Sequence, residues 1–445
     1  METLIVTGGH PLSGEVTIAG AKNVALKAIV ASLLTDEEIL LHNVPHIADV
    51  VSMLELLKSL GVSVSLSHHT VRIKNGNLRE TTVPLEIGAR LRTSSLVIGP
   101  LLARYGRAQI PNPGGCRIGA RPINRHIEGL QKMGATISYH SDDGYFYAKA
   151  SRLHGAQFRF PKNTHTGTEA LILAGVLAKG TTVLNNAAEE VEVDDLIAFL
   201  NAMGANIRRT KPREIVIEGV ETLHGTEYSL MPDRNEEVTF AIAACVTGGS
   251  IVVRNSARSH LDSFLAALRK AGGRYEALDQ TTTRYRQETL VTATDIITRP
   301  HPGFMTDWQA PWALYMTQAH GVSTIHETVF ESRFSYVSEL QKMGANIEFF
   351  DPAVDKPEEF YNFNWSDRIP DFHQGIRIAG PTVLHNAVLS IDDLRAGATL
   401  LLAALTASGE SYIHGAQQID RGYERIEERF HALGAQIVRK REENL

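Results

Sequence analysis

Cysteine is almost absent. The 445 residues hold two, Cys116 and Cys245, which gives no disulfide framework and no thiolate metal spacing and fits a reducing cytoplasm. Long apolar runs are missing too: the longest, 170–178, is far too short to span a bilayer. The first residues, Met1-Glu-Thr-Leu-Ile, lack the basic segment and apolar stretch of a secretory leader, so a cytoplasmic protein is expected. Positive charge is in slight deficit, with 44 Lys and Arg against 50 Asp and Glu and a net charge of -6. That argues against a general nucleic-acid binder, though not against a local basic pocket. The 18 histidines show no His-Glu-x-x-His or related ligand spacing. What is present is an ordinary globular composition, 43% apolar and 21% charged, on a chain long enough for two or three domains.

The chain repeats itself. An amphipathic helix ending in Leu-x-x-x-Gly or a close variant, followed directly by a strand, recurs around Gly61, Gly134, Gly204, Gly272, Gly344 and Gly434. Each glycine suits the position just past a helix end. Upstream of each lies a helix that is apolar on nearly every side, such as NVALKAIVASLLT or DLRAGATLLLAALTASG, which predicts burial. The unit is about 70 residues of alternating helix and strand. Six units make an α/β or α+β protein with internal symmetry, and the size limit on single cores favours two lobes of three, with a cleft between lobes as the default ligand site. The last spacing exceeds the others by roughly 20 residues; the excess lies near 350–374, an acidic, aromatic, proline-interrupted surface insertion.

One segment fits neither helix nor strand: Pro113-Gly-Gly-Cys-Arg-Ile-Gly-Ala-Arg-Pro122. Gly114 and Gly115 can adopt backbone angles closed to other residues, and the prolines stiffen both ends. Cys116 is expected on a loop, where Arg117 and Arg121 favour its thiolate. By itself such a thiol is more often unremarkable; its surroundings make it a catalytic candidate over an anionic substrate. Cys245, in an apolar helix, reads as packing.

Several motifs then add together: Gly20-Ala-Lys-Asn23, the Cys116 loop, Met231-Pro-Asp-Arg234, His301-Pro-Gly-Phe-Met-Thr-Asp307, Glu327-Thr-Val-Phe-Glu-Ser-Arg333, Asp393-Leu-Arg395 and Ile419-Asp-Arg-Gly-Tyr-Glu-Arg425. With them the chain resembles the enolpyruvyl transferases, nearly end to end, and most closely the branch acting on a nucleotide sugar. The resemblance implies a two-lobed inside-out α/β barrel of six repeats, three per lobe, with 22–229 as one lobe and 1–21 with 230–445 as the other. It implies transfer of the enolpyruvyl group of phosphoenolpyruvate to the 3-hydroxyl of UDP-N-acetylglucosamine with release of phosphate, at the start of peptidoglycan precursor synthesis and hence of cell-wall growth, shape and division. It implies no cofactor and no metal.

The residue roles that follow from the resemblance are these. Cys116 is the general acid toward phosphoenolpyruvate and the residue that fosfomycin alkylates. Lys22, Asn23, Arg121 and Arg421 hold the phosphoenolpyruvate anion, and Arg333 and Arg395 face the same site. Arg92, Pro122, Ile123, Asn124, Arg125, Lys162, His165, Thr166 and Val329 contact the nucleotide sugar. Asp307 contacts the sugar hydroxyls and is the candidate base. Asp393 orients Arg395 or assists proton transfer. The residues themselves leave plainer readings open. Lys22 and Asn23 open a helix, Asp307 and Asp393 suit helix caps, and any one arginine suits a surface ion pair. The acidic cluster Glu189, Glu190, Glu192, Asp194 and Asp195 reads as the solvated start of a helix rather than a metal site.

Two departures fall where the nucleotide is read. Asn124 stands where the family has an aspartate, and 163–168 replaces the family's Lys-Val-Ser-Val-Gly-Ala, leaving Lys162 one place early. Thr164, His165 and Thr166 can still donate to a diphosphate. An altered nucleotide-sugar acceptor and a non-catalytic nucleotide-sugar-binding relative are therefore the alternatives.

Overall fold

The computed structural model describes residues 2–76, 78–114 and 122–441. They divide into two compact units. One spans 20–231 and is called here the Lys22 unit; the other joins 2–19 to 232–441 and is called the Asp307 unit. Each has its own apolar core.

Among the described residues the strands form six small sheets, five of four strands and one of three. The four-stranded sheets share one plan. A strand following a buried helix pairs in parallel with an edge strand on one side and antiparallel with a two-stranded antiparallel ribbon on the other. In the Lys22 unit, Ile39–His42 lies parallel to Thr226–Ser229 and antiparallel to Thr70–Lys74, which pairs with Ser63–Ser67. Thr181–Asn185 has the same neighbours in Gln157–Arg159, Glu214–Glu218 and Asn206–Lys211. The three-stranded sheet of Arg107–Pro111, Tyr145–Lys149 and Thr136–His140 gains its parallel member as a single bridge, Thr82 to Gln109. In the Asp307 unit the plan recurs around Ser250–Arg254, Gly321–His326 and Gly409–His414.

The helices divide as their composition dictates. Gln309–Thr317 is buried along its whole length, and in Leu394–Thr406 every residue but the last is buried. Each fully buried Leu, Ile, Val or Met side chain contributes about 1.5–3 kcal/mol, so these helices are fixed by their environment rather than by propensity. The outer helices bury one stripe: Phe264, Leu265 and Leu268 in Asp262–Lys270, and His126, Gly129 and Leu130 in Asn124–Lys132. They end where the sequence places them. Gly61 has φ 96°, and Gly134, Gly204, Gly272, Gly344 and Gly434 lie between 90° and 98°, a left-handed conformation that favours glycine.

The 350–374 segment lies largely at the surface, anchored by a few buried residues. It closes a hairpin, since Phe350 pairs with Gly375. Tyr361 and Phe363 are buried, Tyr361 stacks on Trp365 with centroids 4.6 Å apart, and its hydroxyl lies 3.0 Å from His326 Nε2. Gly114 corrects one expectation. Its backbone is outside the left-handed region; glycine is required because a Cβ would meet the Ala89 carbonyl oxygen at 1.6 Å.

Candidate active site

Cys116 and Arg121 lie outside the described residues. The remaining candidates fall into two sets, one in each unit.

In the Lys22 unit, Lys22 is the first residue of the helix Lys22–Ala31, behind an extended Ala21 whose side chain caps nothing. The approach is tight: a Cβ on Gly20 would meet the Asn43 carbonyl oxygen at 1.6 Å. Lys22 Nζ is 2.7 Å from Asp49 Oδ2, with 11% and 9% of the two side chains exposed. Asp49 belongs to the first turn of Ala48–Ser59, where it also suits the helix dipole. Sequence reasoning missed this partner because nothing in HIADVVSML distinguishes an ion-pairing aspartate from an N-terminal one. Asn23, next along, is half-buried.

Arg92 starts a 3-10 turn, Arg92–Val97, and Arg125 lies in the helix Asn124–Lys132. Between them sequence and fold set His126, which was not singled out. It is 3% exposed, and neither ring nitrogen has a hydrogen-bond partner. Burial, then Arg92, then Arg125 push its pKa down to about 3. The ring is therefore a neutral polar group in a cationic setting at neutral pH. Ile123 is buried, while Pro122 and Asn124 are exposed.

The 162–168 segment turns into the helix His165–Gly175. Lys162 is half-buried. Asn163 is structural: its Nδ2 donates to the Ala187 carbonyl at 3.1 Å. Thr164 is the N-cap, accepting from Gly167 N at 3.1 Å, so its hydroxyl is engaged by the helix. His165 and Thr166, half-buried, are the side chains that follow the cap. Behind His165 stand Glu169 and Lys27, 0% and 2% exposed. The signal for both was a lone charge in an apolar helix, NVALKAIV and EALILAG. The acidic cluster is not the solvated helix start that was expected, since Glu190 and Glu192 are buried. Asp194 pairs with Arg209 and Glu189 with Arg213. Among the described residues no group of His, Cys, Asp and Glu could hold a metal ion.

In the Asp307 unit three candidates meet. Asp307 is paired with Arg333 and lies 3.7 Å from Arg395 Nη2. It does not cap: it sits inside the turn Thr306–Trp308, which has no side-chain cap. Arg333 and Arg395 are 7% and 8% exposed. Burial opposes the Arg395 charge, but Tyr423, Asp307 and Asp233 outweigh it and hold the guanidinium protonated. Tyr423 accepts from Arg395 Nη1 at 3.0 Å and is itself 2.7 Å from Thr239 Oγ1. Two guanidiniums thus converge on one carboxylate, and guanidinium forks match carboxylate and phosphate oxygens.

Asp393 is the N-cap of Leu394–Thr406, accepting from Arg395 N and Ala396 N, and its other oxygen accepts from Ser335 Oγ at 3.0 Å. It thus positions the backbone that carries Arg395. Val329 is half-buried, and its N–H donates to Glu327 Oε1 at 2.7 Å, while Glu327 Oε2 accepts from Thr306 Oγ1 at 2.8 Å. Burial raises the Glu327 pKa, and these donors oppose that. One carboxylate therefore ties the Val329 loop to the residue before Asp307. The 350–374 segment adds a second tie, Asn362 N to the Thr328 carbonyl at 2.8 Å. Arg421, half-buried, ends the turn Ala416–Arg421 with Gln418 Oε1 3.5 Å from its Nη1.

The fold is shared with solved structures. A crystal structure of the enolpyruvyl transferase NikO from Streptomyces tendae superposes with TM-score 0.85 at 23% identity, covering 99% of each chain. EPSP synthase from Acinetobacter baumannii superposes with TM-score 0.73 at 18% identity, covering 99% of this chain and 100% of that one. The chain belongs to the family described as EPSP synthase (3-phosphoshikimate 1-carboxyvinyltransferase), whose model matches residues 6–430. Within it the similarity is to a particular branch. Proteins called UDP-N-acetylglucosamine 1-carboxyvinyltransferase from Acidobacterium capsulatum and Magnetococcus marinus are 44% and 43% identical to it, over 99% of this chain and 96% and 99% of theirs. The same name is carried by a relative from Idiomarina loihiensis at 44% identity over 99% of both chains. No helix among the described residues is long and apolar enough to cross a membrane.

Proposed function

We propose that the protein transfers the enolpyruvyl group of phosphoenolpyruvate to the 3-hydroxyl of UDP-N-acetylglucosamine, releasing phosphate, in the cytoplasmic supply of peptidoglycan precursors. The observation that carries the proposal is the pair of buried arginines sharing Asp307, in a chain more than 40% identical to relatives of that name. In the finer reading of the fold, the six sheets and their buried helices are six repeats, three in each lobe of an inside-out barrel.

The acceptor hydroxyl adds to C2 of phosphoenolpyruvate while Cys116 delivers a proton to C3. The tetrahedral intermediate then loses a proton from C3 and expels phosphate. Asp307 takes the hydroxyl proton. Lys22, Asn23, Arg121 and Arg421 hold the phosphate and carboxylate, and Arg333 and Arg395 complete the cationic set; aimed in advance, they stabilise the shifting charge. Asp393 holds the Arg395 backbone in place. The nucleotide sugar is read by Arg92, Pro122, Ile123, Asn124, Arg125, Lys162, His165, Thr166 and Val329. This chemistry calls on no cofactor and no metal.

The test is phosphate release from phosphoenolpyruvate and UDP-N-acetylglucosamine by wild type and by Cys116→Ala. Turnover in the first and a loss of at least about 100-fold in the second are expected; no release by folded wild type sinks the proposal. Fosfomycin should add its mass at Cys116. Cys245 should stay unmodified, because burial pushes its thiol pKa up to about 12.

A specific observation favours a second reading. Asn163 is spent on the Ala187 carbonyl and Thr164 on a helix cap, so the diphosphate site is rebuilt around His165. An acceptor with a different sugar would keep the chemistry and change this contact. Comparing turnover across several UDP-sugars separates the two.

A further inference from the structure

The helix His165–Gly175 carries an arrangement that the reaction scheme leaves unused. Glu169, one turn beyond His165, is sealed, with 0% of its side chain exposed. One of its oxygens is 3.1 Å from His165 Nε2; the other is 3.3 Å from Lys27 Nζ, itself 2% exposed. His165 alone reaches outward, with 24% of its side chain accessible. A fourth group, Glu190, stands just before the helix Val191–Ala202; it is 4% exposed, and its Oε2 has no hydrogen-bond partner.

Count the charges. Lys27 brings one positive charge, and Glu169 and Glu190 bring two negative ones. A buried cluster with a net charge is costly. Protonation of His165 brings this one to zero. The forces on the ring divide: burial, the largest, opposes its charge, Glu169 favours it, Lys27 opposes it and Glu190 favours it, and the outcome is a raised pKa. The neighbouring helix Asn124–Lys132 carries Arg125, Glu128 and Lys132 beside His126, which is held neutral at neutral pH as described; Arg92 opens the turn Arg92–Val97, the buried Glu192 lies in the first turn of Val191–Ala202, and Lys162 lies three residues before the ring.

We infer that Glu169 and Lys27 are positioning residues that set the charge of His165, so that a sealed ion pair presents one accessible imidazolium to the diphosphate of the nucleotide sugar. The inference rests on the reading of His165 as a nucleotide-sugar contact. Glu169 supplies the opposing charge 3.1 Å from the ring. Lys27 stops Glu169 from being a buried, uncompensated carboxylate when the ring is neutral. The site thereby gains a cation where Asn163 has been diverted to structure and Lys162 is displaced. Charge-assisted hydrogen bonds to an anion are roughly twice as strong as neutral ones.

The experiment has two arms. In the free protein, NMR titration of histidine ring protons, with the His165 signal assigned by its loss in His165→Asn, should give a midpoint above that of free histidine. Glu169→Gln should lower it, and Lys27→Met should raise it further. Opposite shifts are the signature, because general loosening would move both variants toward the free value. If Glu169→Gln does not fold, the double variant Lys27→Met/Glu169→Gln, which removes both charges of the sealed pair together, should still lie below wild type. A wild-type midpoint at or below that of free histidine, or shifts in one common direction, overturns the inference. In the second arm, KM for UDP-N-acetylglucosamine should rise about tenfold as pH passes the His165 midpoint, with kcat and KM for phosphoenolpyruvate unmoved by that titration. Glu169→Gln should bring the rise to lower pH. A flat KM alongside the expected NMR shifts places the imidazolium away from the diphosphate and overturns its role. Failure of the functional proposal looks different: no phosphate release at any pH, while the NMR arm still reads the charge of the ring.

Discussion

The two units hold their cations in different ways. In the Lys22 unit, an ammonium, Lys22, lies against the Asp49 carboxylate. In the Asp307 unit two guanidiniums share one carboxylate. The planar forks of the second set match carboxylate and phosphate oxygens in a fixed geometry. The lysine is a compact charge on a flexible stem.

Replacing Asp307 with Asn tests the arginine side most severely. If Asp307 is the base, kcat should fall about 1000-fold in the phosphate-release assay. A fall smaller than tenfold would leave it only the task of holding two arginines. Next in size are Lys22→Gln and Asp49→Asn. Lys22→Gln should raise KM for phosphoenolpyruvate about 10- to 100-fold. Asp49→Asn should leave that KM level or lower it, while thermal unfolding shows a less stable protein, because the buried Lys22 loses the carboxylate 2.7 Å from it. Equal KM increases in both would erase the proposed contrast.

A third test is thermodynamic. His126 has a folded pKa of about 3, below the value near 6.5 of an unfolded histidine. The unfolded chain binds the extra proton, so this residue's contribution is complete above pH 6.5 and is lost as pH falls toward 3. Urea unfolding should show about 2 kcal/mol less stability at pH 5 than at pH 7 from this source, and His126→Leu should remove that difference. The smallest effect expected is at Asp393. Asp393→Ala should cost about 1 kcal/mol, as the loss of a helix cap does. Asp393→Asn keeps the cap, so a kcat loss above tenfold in that variant would add proton transfer to its role.

Much of this was legible in the sequence. Apolar helices predict burial, and the glycines after the outer helices predict left-handed turns; both follow from local composition, and both are found there. Arg333, Arg395 and Asp307 were legible as candidates but not as a cluster, since the side chains that meet come from 26 to 88 positions apart. Asp49, Tyr423 and His126 were missed for a related reason. Each is an ordinary residue of its helix or turn until the fold supplies a neighbour. Lys27 and Glu169 were passed over as well, inside helices read as apolar on nearly every side; a lone charge in such a helix calls for a partner of opposite sign, and that signal went unused.

The contact behind Gly20 bears on how freely this protein can vary. A side chain of any kind there would collide with the Asn43 carbonyl oxygen. That oxygen cannot easily withdraw, because Asn43 sits in the left-handed region at φ 56° and its Nδ2 donates to the Leu230 carbonyl at 2.9 Å. Every missense change of a glycine codon adds a Cβ, so the lineage has no neighbouring sequence to drift to at this position. An inhibitor that takes its grip from the backbone beside Lys22 would therefore press on a point where escape by substitution at Gly20 is closed.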